Sequence, residues 1–256
     1  MRIAERHRYI TEKLHSAGAV SVASLAEEMG VSVVTVRKDL QLLEEQGLLL
    51  RSHGGASLPS AFVNDRPIAE KQDVRAEEKR LIAQAAAGLL QPDEAIIIGS
   101  GTTVDAFARA LPRSFRGTVL TAALNVAGAL AAHPALELVL LGGVVRKSAA
   151  SAVGPYAEDM LRHFACNRLF LSVDGISPDF GLTTSNMMEA HLNAQMCRAA
   201  QQVVVLADAS KFGKKGFGRI CGLPEVDLIV TDAALPELYQ EAVEAAGVKL
   251  LMVGKT

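Results

Sequence analysis

Five loops of this 256-residue chain place small, hydroxyl-bearing and charged residues at the ends of apolar runs. Gly99-Ser100-Gly101-Thr102-Thr103 ends the first run and opens a helix. Asn125 comes just after the second, Gly142-Gly143 after the third, Asp174-Gly175 after the fourth and Asp208-Ala209-Ser210-Lys211 after the fifth. Glycines let backbone N–H groups approach an anion, Ser and Thr add donors, and a helix N-terminus adds its positive end. Lys211 adds a full charge and is the only Lys or Arg in these loops. The set suits the phosphate of a small molecule. It is neither GxGxxG nor GxxxxGKS, so a nucleotide is not indicated. An ordinary strand-to-helix turn accounts for any one loop alone; their falling together at one sheet edge is what points to a ligand.

A second polar set, Asn186, Glu189 and Asn193, recurs at i, i+3, i+7 of one helix, opposite Met188, Leu192, Met196 and Ala199. A solvated face explains it, or Asn186 and Glu189 hydrogen-bond sugar hydroxyls. Asp174, Glu189 and Lys211 are also the residue types of an acid, a base and an electrostatic stabiliser, the equipment of a sugar-phosphate isomerase. His163 with Cys166, and His191 with Cys197, lack a second pair to complete a Cys/His tetrad, so no metal or other cofactor is expected. Phe62, Phe107, Phe164, Phe170, Phe212 and Phe217 read as packing residues, not as a stacking platform for single strands.

A different chemistry is offered near the N-terminus. On a helix capped by Ser32, the apolar side is Val33, Val36, Leu40 and Leu43. The other side carries Val34, Thr35, Arg37, Lys38 and Gln41. An apolar rear with short polar and cationic groups forward is what a helix in the DNA major groove requires. Ser32 and the helix N-terminus can hold a phosphate. Arg51 in a following ribbon, and Arg2, Arg6 and Arg8, can add backbone contacts. Residues 1–57 hold seven Lys/Arg and seven Asp/Glu, so charge alone leaves a plain helical subdomain open.

These residues need elements to position them. In residues 1–57, Ile10, Leu14 and Ala17 mark one helix stopped by Gly18. Val22, Leu25, Ala26 and Met29 mark a second, capped by Ser21 and ended by Gly30. The Ser32 helix ends at Gly47, and an extended Leu48–Arg51 leads into Ser52-His53-Gly54-Gly55-Ala56. Helix, helix, tight turn, helix and ribbon make a winged helix-turn-helix. Residues 58–74, with Pro59, Asn64, Asp65 and Pro67, read as a linker. From residue 75 to 256, helical stretches alternate with runs at 95–98, 118–121, 137–141, 169–173, 203–207, 228–230 and 249–253. Such unbroken Val/Ile/Leu runs suit a mainly parallel sheet covered on both faces, hence an α/β domain.

Composition excludes other classes. With 26 Lys/Arg against 28 Asp/Glu the whole chain is no polyanion binder, and three cysteines make no disulfide framework. The N-terminus has no signal-peptide run. The uncharged stretch 117–136 is broken by Asn125, His133 and Pro134 into strand, turn and helix, so no membrane association is expected. A cytoplasmic protein is the expectation.

Residues 31–40, Val-Ser-Val-Val-Thr-Val-Arg-Lys-Asp-Leu, then Leu43-Glu44, Gly47 and Arg51-Ser52-His53-Gly54-Gly55-Ala56, resemble the N-terminal domain of the DeoR family of bacterial sugar-metabolism repressors. Residues from about 75 onward resemble that family's sensor domain. The residues that carry this are Gly99–Thr103, Leu124-Asn125-Val126-Ala127, Gly142-Gly143, Val173-Asp174-Gly175 and Ser210-Lys211-Phe212-Gly213. The resemblance implies a sensor fold related to ribose-5-phosphate isomerase and coenzyme A transferases. It also implies operator binding as a homodimer or homotetramer, and release by a phosphorylated sugar. An activator of the same architecture has the same sequence features. Gly181–Asn186 with Glu189-Ala190, Leu192-Asn193 and Met196 looks most like the branch regulating N-acetylgalactosamine and related amino-sugar catabolism. The implied DNA-contacting set is Ser32, Val34, Thr35, Arg37, Lys38, Gln41, Arg51 and His53. The implied effector set is Gly99, Ser100, Gly101, Thr102, Thr103, Asn125, Gly142, Gly143, Asp174, Gly175, Asn186, Glu189 and Lys211. Three departures stand out. Lys38 replaces a usual Arg and so becomes a phosphate contact rather than a base reader. Ala122 and Ala209 stand where the family usually has Asn and Ser.

Overall fold

The computed structural model describes residues 2–17, 19–45, 48–52, 54–57 and 65–254. Gly18, Gly47, His53, Phe62 and the 58–64 part of the expected linker lie outside them. The chain divides into two compact units, residues 1–61 and 62–256.

The first unit runs α1 (Ile3–Ala17), β1 (Ala19–Ser21), α2 (Val22–Met29), α3 (Val33–Glu45), β2 (Leu50–Ser52) and β3 (Gly55–Ser57). Ser21 caps α2 by accepting the Ser24 N–H at 3.0 Å, and Gly30 ends it at φ 64°, a left-handed conformation that glycine adopts freely. The β2–β3 hairpin forms the wing, and β1 adds to its other edge, in order β1-β3-β2. Ile10, Leu14, Leu25, Met29, Val36, Leu40 and Leu43 close the core. Val33 does not join them: it is 40 % exposed, because the inner face of α3 turns instead through Val36, Asp39, Leu40 and Leu43. Buried Asp39 takes both arms of the Arg6 guanidinium, at 2.6 and 2.9 Å, with His7 Nε2 at 3.3 Å. The pair ties α1 to the rear of α3, so Arg6 is spent inside the unit and not on a phosphate backbone.

The second unit opens with α4 (Ile68–Gln72), within the stretch expected as linker, and α5 (Ala76–Ala87). Then follow β4 (Glu94–Ile98), α6 (Thr102–Arg109), β5 (Gly117–Thr121), α7 (Leu124–Leu130) and β6 (Leu136–Leu140). A hairpin of β7 (Val144–Arg146) and β8 (Ser151–Val153) precedes α8 (Pro155–Leu161) and β9 (Cys166–Leu171). After β10 (Gly175–Ser177) and β11 (Gly181–Thr184) come α9 (Met187–Ala199), β12 (Ala200–Leu206), β13 (Gly218–Cys221), β14 (Leu228–Asp232), α10 (Glu237–Ala245) and β15 (Lys249–Val253). Seven strands form one sheet, β15-β14-β12-β9-β4-β5-β6, every neighbouring pair parallel. These are the seven apolar runs. Successive strand residues serve opposite faces: Ile96, Ile98 and Phe170 pack with Ile82, Phe107 and Val126, while Ile97, Leu169 and Leu171 pack with Ala157, Leu192 and Val243. Both faces are thus covered by helices, the condition under which apolar runs lose their alternation.

Chain direction along the sheet reverses between β4 and β9. From β4 the chain proceeds to β5 and β6 on one side; the later strands build outward on the other. That reversal leaves a crevice beyond the carboxyl ends of β4 and β9, where open α/β sheets bind ligands. The hairpin β7–β8 and the antiparallel β10-β11-β13 sheet were not expected from periodicity. Their strands are three or four residues long, too short for a period-2 pattern to register. Among the described residues, no helix is long and apolar enough to cross a membrane.

Candidate functional site: an exposed helix face and a polar pocket

In the first unit, Ser32 Oγ accepts the Thr35 N–H at 3.1 Å and lies 2.9 Å from Thr35 Oγ1, which starts α3. Val34 is 61 % exposed, and Arg37, Lys38 and Gln41 are exposed beside it. Among the described residues no carboxylate pairs with Arg37 or Lys38. Arg51 differs. Its Nε donates to Glu44 Oε2 at 2.8 Å and its backbone N–H to Glu44 Oε1 at 3.0 Å, so the wing is pinned to α3. His53 lies outside the described residues.

In the second unit, a pocket of about 510 Å³ of empty space, part of it open to solvent, sits at the β4/β9 crevice. Of the sequence-derived effector set it gathers Ser100, Gly101, Thr102, Thr103, Asp174, Glu189 and Lys211. Gly101 takes φ 126° at the start of α6, and a Cβ there would meet Ser172 Cβ at 3.0 Å, so glycine is needed both for conformation and for closeness. The helix thereby aims its N-terminus into the crevice.

The remaining members do not line the pocket. Asn125 Nδ2 donates to Asp105 Oδ1 at 3.0 Å, tying α7 to α6. Gly99 packs on Leu171, and Gly143 and Gly175 closely approach the backbones of Val153 and Lys214. Gly142 is exposed at the end of β6. Asn186 is the N-cap of α9, its Oδ1 accepting the Glu189 N–H at 3.1 Å. The polar stripe of α9 is no solvated face: Glu189 is 8 % and Asn193 3 % exposed, whereas Met188, expected inside, is 41 % exposed. Glu189 turns inward to the Arg146 guanidinium and the Ser100 hydroxyl, and that side of α9 is buried with it.

Lys211 is not the only cation there. Arg66, Lys71 and Arg146 line the same pocket. None belongs to a loop directly after a strand of the large sheet: Arg146 ends β7, and Arg66 and Lys71 lie in the expected linker. No periodicity marks them, and their sequence neighbours do not single them out.

The acids are held in place. Asp174 accepts from Lys71 Nζ at 3.0 Å and from the Ser185 N–H at 3.0 Å. Glu189 accepts from Arg146 Nη1 at 2.6 Å and from the Ser100 hydroxyl. Thr184 Oγ1 stands 3.1 Å from both carboxylates, and its single proton serves one at a time. Burial would raise the Asp174 carboxyl, yet Lys71 and Lys211 hold it at about 2, well below its ordinary 3.8. A depressed folded value means its stabilisation is complete above the unfolded value and is lost as pH falls through about 2. Wild type is therefore expected to exceed Asp174→Asn in stability by about 2 kcal/mol at pH 5, a margin shrinking between pH 4 and 2. Urea unfolding of both chains across that range checks this; a margin constant with pH would contradict it.

Among the described residues no group of three or more His, Cys, Asp or Glu is placed to hold a metal. His191 Nδ1 lies 2.9 Å from Glu158 Oε1, and Phe217 is exposed rather than packed.

Residues 6–62 match the DeoR-like helix-turn-helix domain, and residues 74–233 the DeoR C terminal sensor domain. The chain is 35% identical over 254 residues to a putative aga operon transcriptional repressor of Escherichia coli O157:H7, covering 98% of this chain and 94% of that one. It is 33% identical over 236 residues to the glycerol-3-phosphate regulon repressor of Escherichia coli strain K12, covering 92% and 93%. Among solved structures, ribose 5-phosphate isomerase A from Methanocaldococcus jannaschii is a loose likeness, with 17% identity over 54% of each chain and a TM-score of 0.39.

Proposed function

The chain belongs to the DeoR family of transcriptional regulators, and we infer from this that it is a transcriptional repressor of sugar or amino-sugar catabolism genes, not an enzyme. Residues 1–57 bind operator duplex, and a phosphorylated sugar in the pocket of the second unit releases it. The amino-sugar branch rests on the likeness to the aga operon repressor.

One observation carries the reading. A single chain joins a helix face bearing exposed Arg37 and Lys38 to a pocket where the α6 N-terminus, Ser100, Thr102, Thr103 and Lys211 converge. Among the described residues no carboxylate forms a close ion pair with Lys211, which acts on Asp174 only from a distance, so its ammonium group is available to a phosphate. Asp174 and Glu189, the acid and base of an isomerase reading, are instead engaged with Lys71 and Arg146. An operator of two half-sites read by two helices favours a homodimer or homotetramer; the cytoplasm is the compartment such a regulator would work in. The coupling between pocket and operator is of the usual allosteric size, about 1–3 kcal/mol.

Anisotropy titration of the full chain on its operator duplex, with and without hexosamine 6-phosphates, tests this. Arg37→Ala is expected to cost about 1–3 kcal/mol on the operator and to relax specificity at one base position. Lys38→Ala is expected to weaken all duplexes alike and to reduce the salt slope by about 1. Equal affinity of wild type and both variants, or steady isomerisation of a sugar phosphate that Asp174→Asn abolishes, would overturn the reading.

A further inference from the structure

Asp65 is an acid placed where an anionic ligand would be welcome. Its carboxylate accepts from the Arg146 guanidinium, from Ser148 Oγ at 3.0 Å and from Ser185 Oγ at 3.4 Å. One guanidinium and two hydroxyls form the donor set that proteins use to hold a phosphoryl or carboxylate group. We propose that Arg146, Ser148 and Ser185 are an anion seat, filled from within the chain by Asp65, which an anionic group of the ligand takes by displacing it. The proposal rests on reading this pocket as the ligand site.

The seat is built independently of its occupant. Arg146 is 10 % exposed, and its other nitrogen is fixed by Glu189, which is itself anchored at the start of α9. Removing Asp65 therefore leaves the guanidinium where it is. Glu189 cannot leave in the same way, because it is buried within a helix and also accepts from the Ser100 hydroxyl. Asp65 is the more exposed acid of the two, precedes α4, and comes directly after the stretch of sequence joining the two units. Against the burial that opposes its charge, the Arg146 and Ser148 hydrogen bonds hold the Asp65 carboxyl below the usual carboxylate range, so at neutral pH it competes as an anion.

Charge points the same way. Arg66, Lys71, Arg146 and Lys211 face three carboxylates in the pocket lining, Asp65, Asp174 and Glu189. With Asp65 withdrawn the cations hold an excess of two, and an incoming anion restores the balance. Because Glu189 joins Arg146 to Ser100, the seat adjoins the Ser100–Thr103 loop. Withdrawal also removes the support of the Ile68 N–H bond to the Ser148 carbonyl, 2.7 Å long. A ligand would thus loosen the segment that follows the connection to the DNA-reading unit.

The probe is inorganic phosphate, titrated calorimetrically into the full chain at fixed ionic strength. Asp65→Asn is expected to bind it about tenfold more tightly than wild type, within the range of ordinary coupling between sites. Adding Arg146→Gln to Asp65→Asn is expected to abolish the gain; Ser148→Ala, which leaves the buried Arg146–Glu189 pair intact, is expected to reduce it should the double variant not fold. Hydrogen exchange at the Ile68 amide is expected to quicken with phosphate in wild type but not with chloride. Equal or weaker phosphate binding by Asp65→Asn, no phosphate binding at all, or a gain that survives both second substitutions overturns the seat. Operator release is scored separately: release by sugar phosphates with no effect of Asp65 sinks this proposal and leaves the repressor reading standing.

Discussion

Phe107→Ala is expected to destabilise the second unit by about 3–5 kcal/mol, the usual cost of removing a fully buried aromatic ring. Phe107 has no exposure and stacks on Phe170 with ring centroids 4.3 Å apart at an interplanar angle of 32°. The pair does more than fill space. Phe107 lies on α6, whose first turn is the Thr102-Thr103 end of the pocket loop, and Phe170 lies on β9, two residues before Ser172. The stack therefore fixes the two walls of the crevice relative to each other. Phe107→Leu keeps most of the volume and should cost distinctly less. Urea unfolding followed by far-UV circular dichroism measures both, since the chain has no tryptophan to report by fluorescence. A loss under 1 kcal/mol for Phe107→Ala would mean that α6 is held by other contacts.

Lys211→Ala is expected to weaken binding of a phosphorylated sugar by about 1.5–3 kcal/mol, roughly ten- to hundredfold, the worth of a hydrogen bond to a charged group. Operator affinity should be unchanged, because the substitution lies outside residues 1–61. In cells the variant would repress and not be relieved. Lys71 is already paired with Asp174, and Arg146 stays fixed to Glu189 even when Asp65 gives way, so neither moves in to replace the charge lost at position 211. Calorimetry with a hexosamine 6-phosphate and its dephosphorylated form checks the assignment. Wild-type affinity in Lys211→Ala, or equal affinity for the two ligands, would rule it out.

Two kinds of information are separated by these residues. Sequence by itself determined the seven parallel strands, because residues buried on both faces must all be apolar and so appear as unbroken runs. It determined the capped α2 and α3 and the turn at Gly30, since capping and positive φ demand particular residue types within a few positions. It also marked the loops after β4, β9 and β12 that meet in the crevice, because polar small residues stand out directly after such runs.

Tertiary structure alone decided which charges meet. Val33 and Met188 were assigned inward by period and lie outward, because a helix face is chosen by its neighbours: Asp39 is drawn inside by Arg6, and Glu189 by Arg146. Asn125 and Asn186 looked like ligand contacts, but their side chains bind Asp105 and the α9 backbone. Arg146, Lys71 and Asp65 carried no local signal. Their partners lie 43, 103 and 81 residues away in the chain, respectively Glu189, Asp174 and Arg146. Capping and strand burial are local in sequence and leave a pattern there. An ion pair across such distances leaves none, because any Lys or Arg satisfies composition equally well until the sheet order brings one of them to the acid.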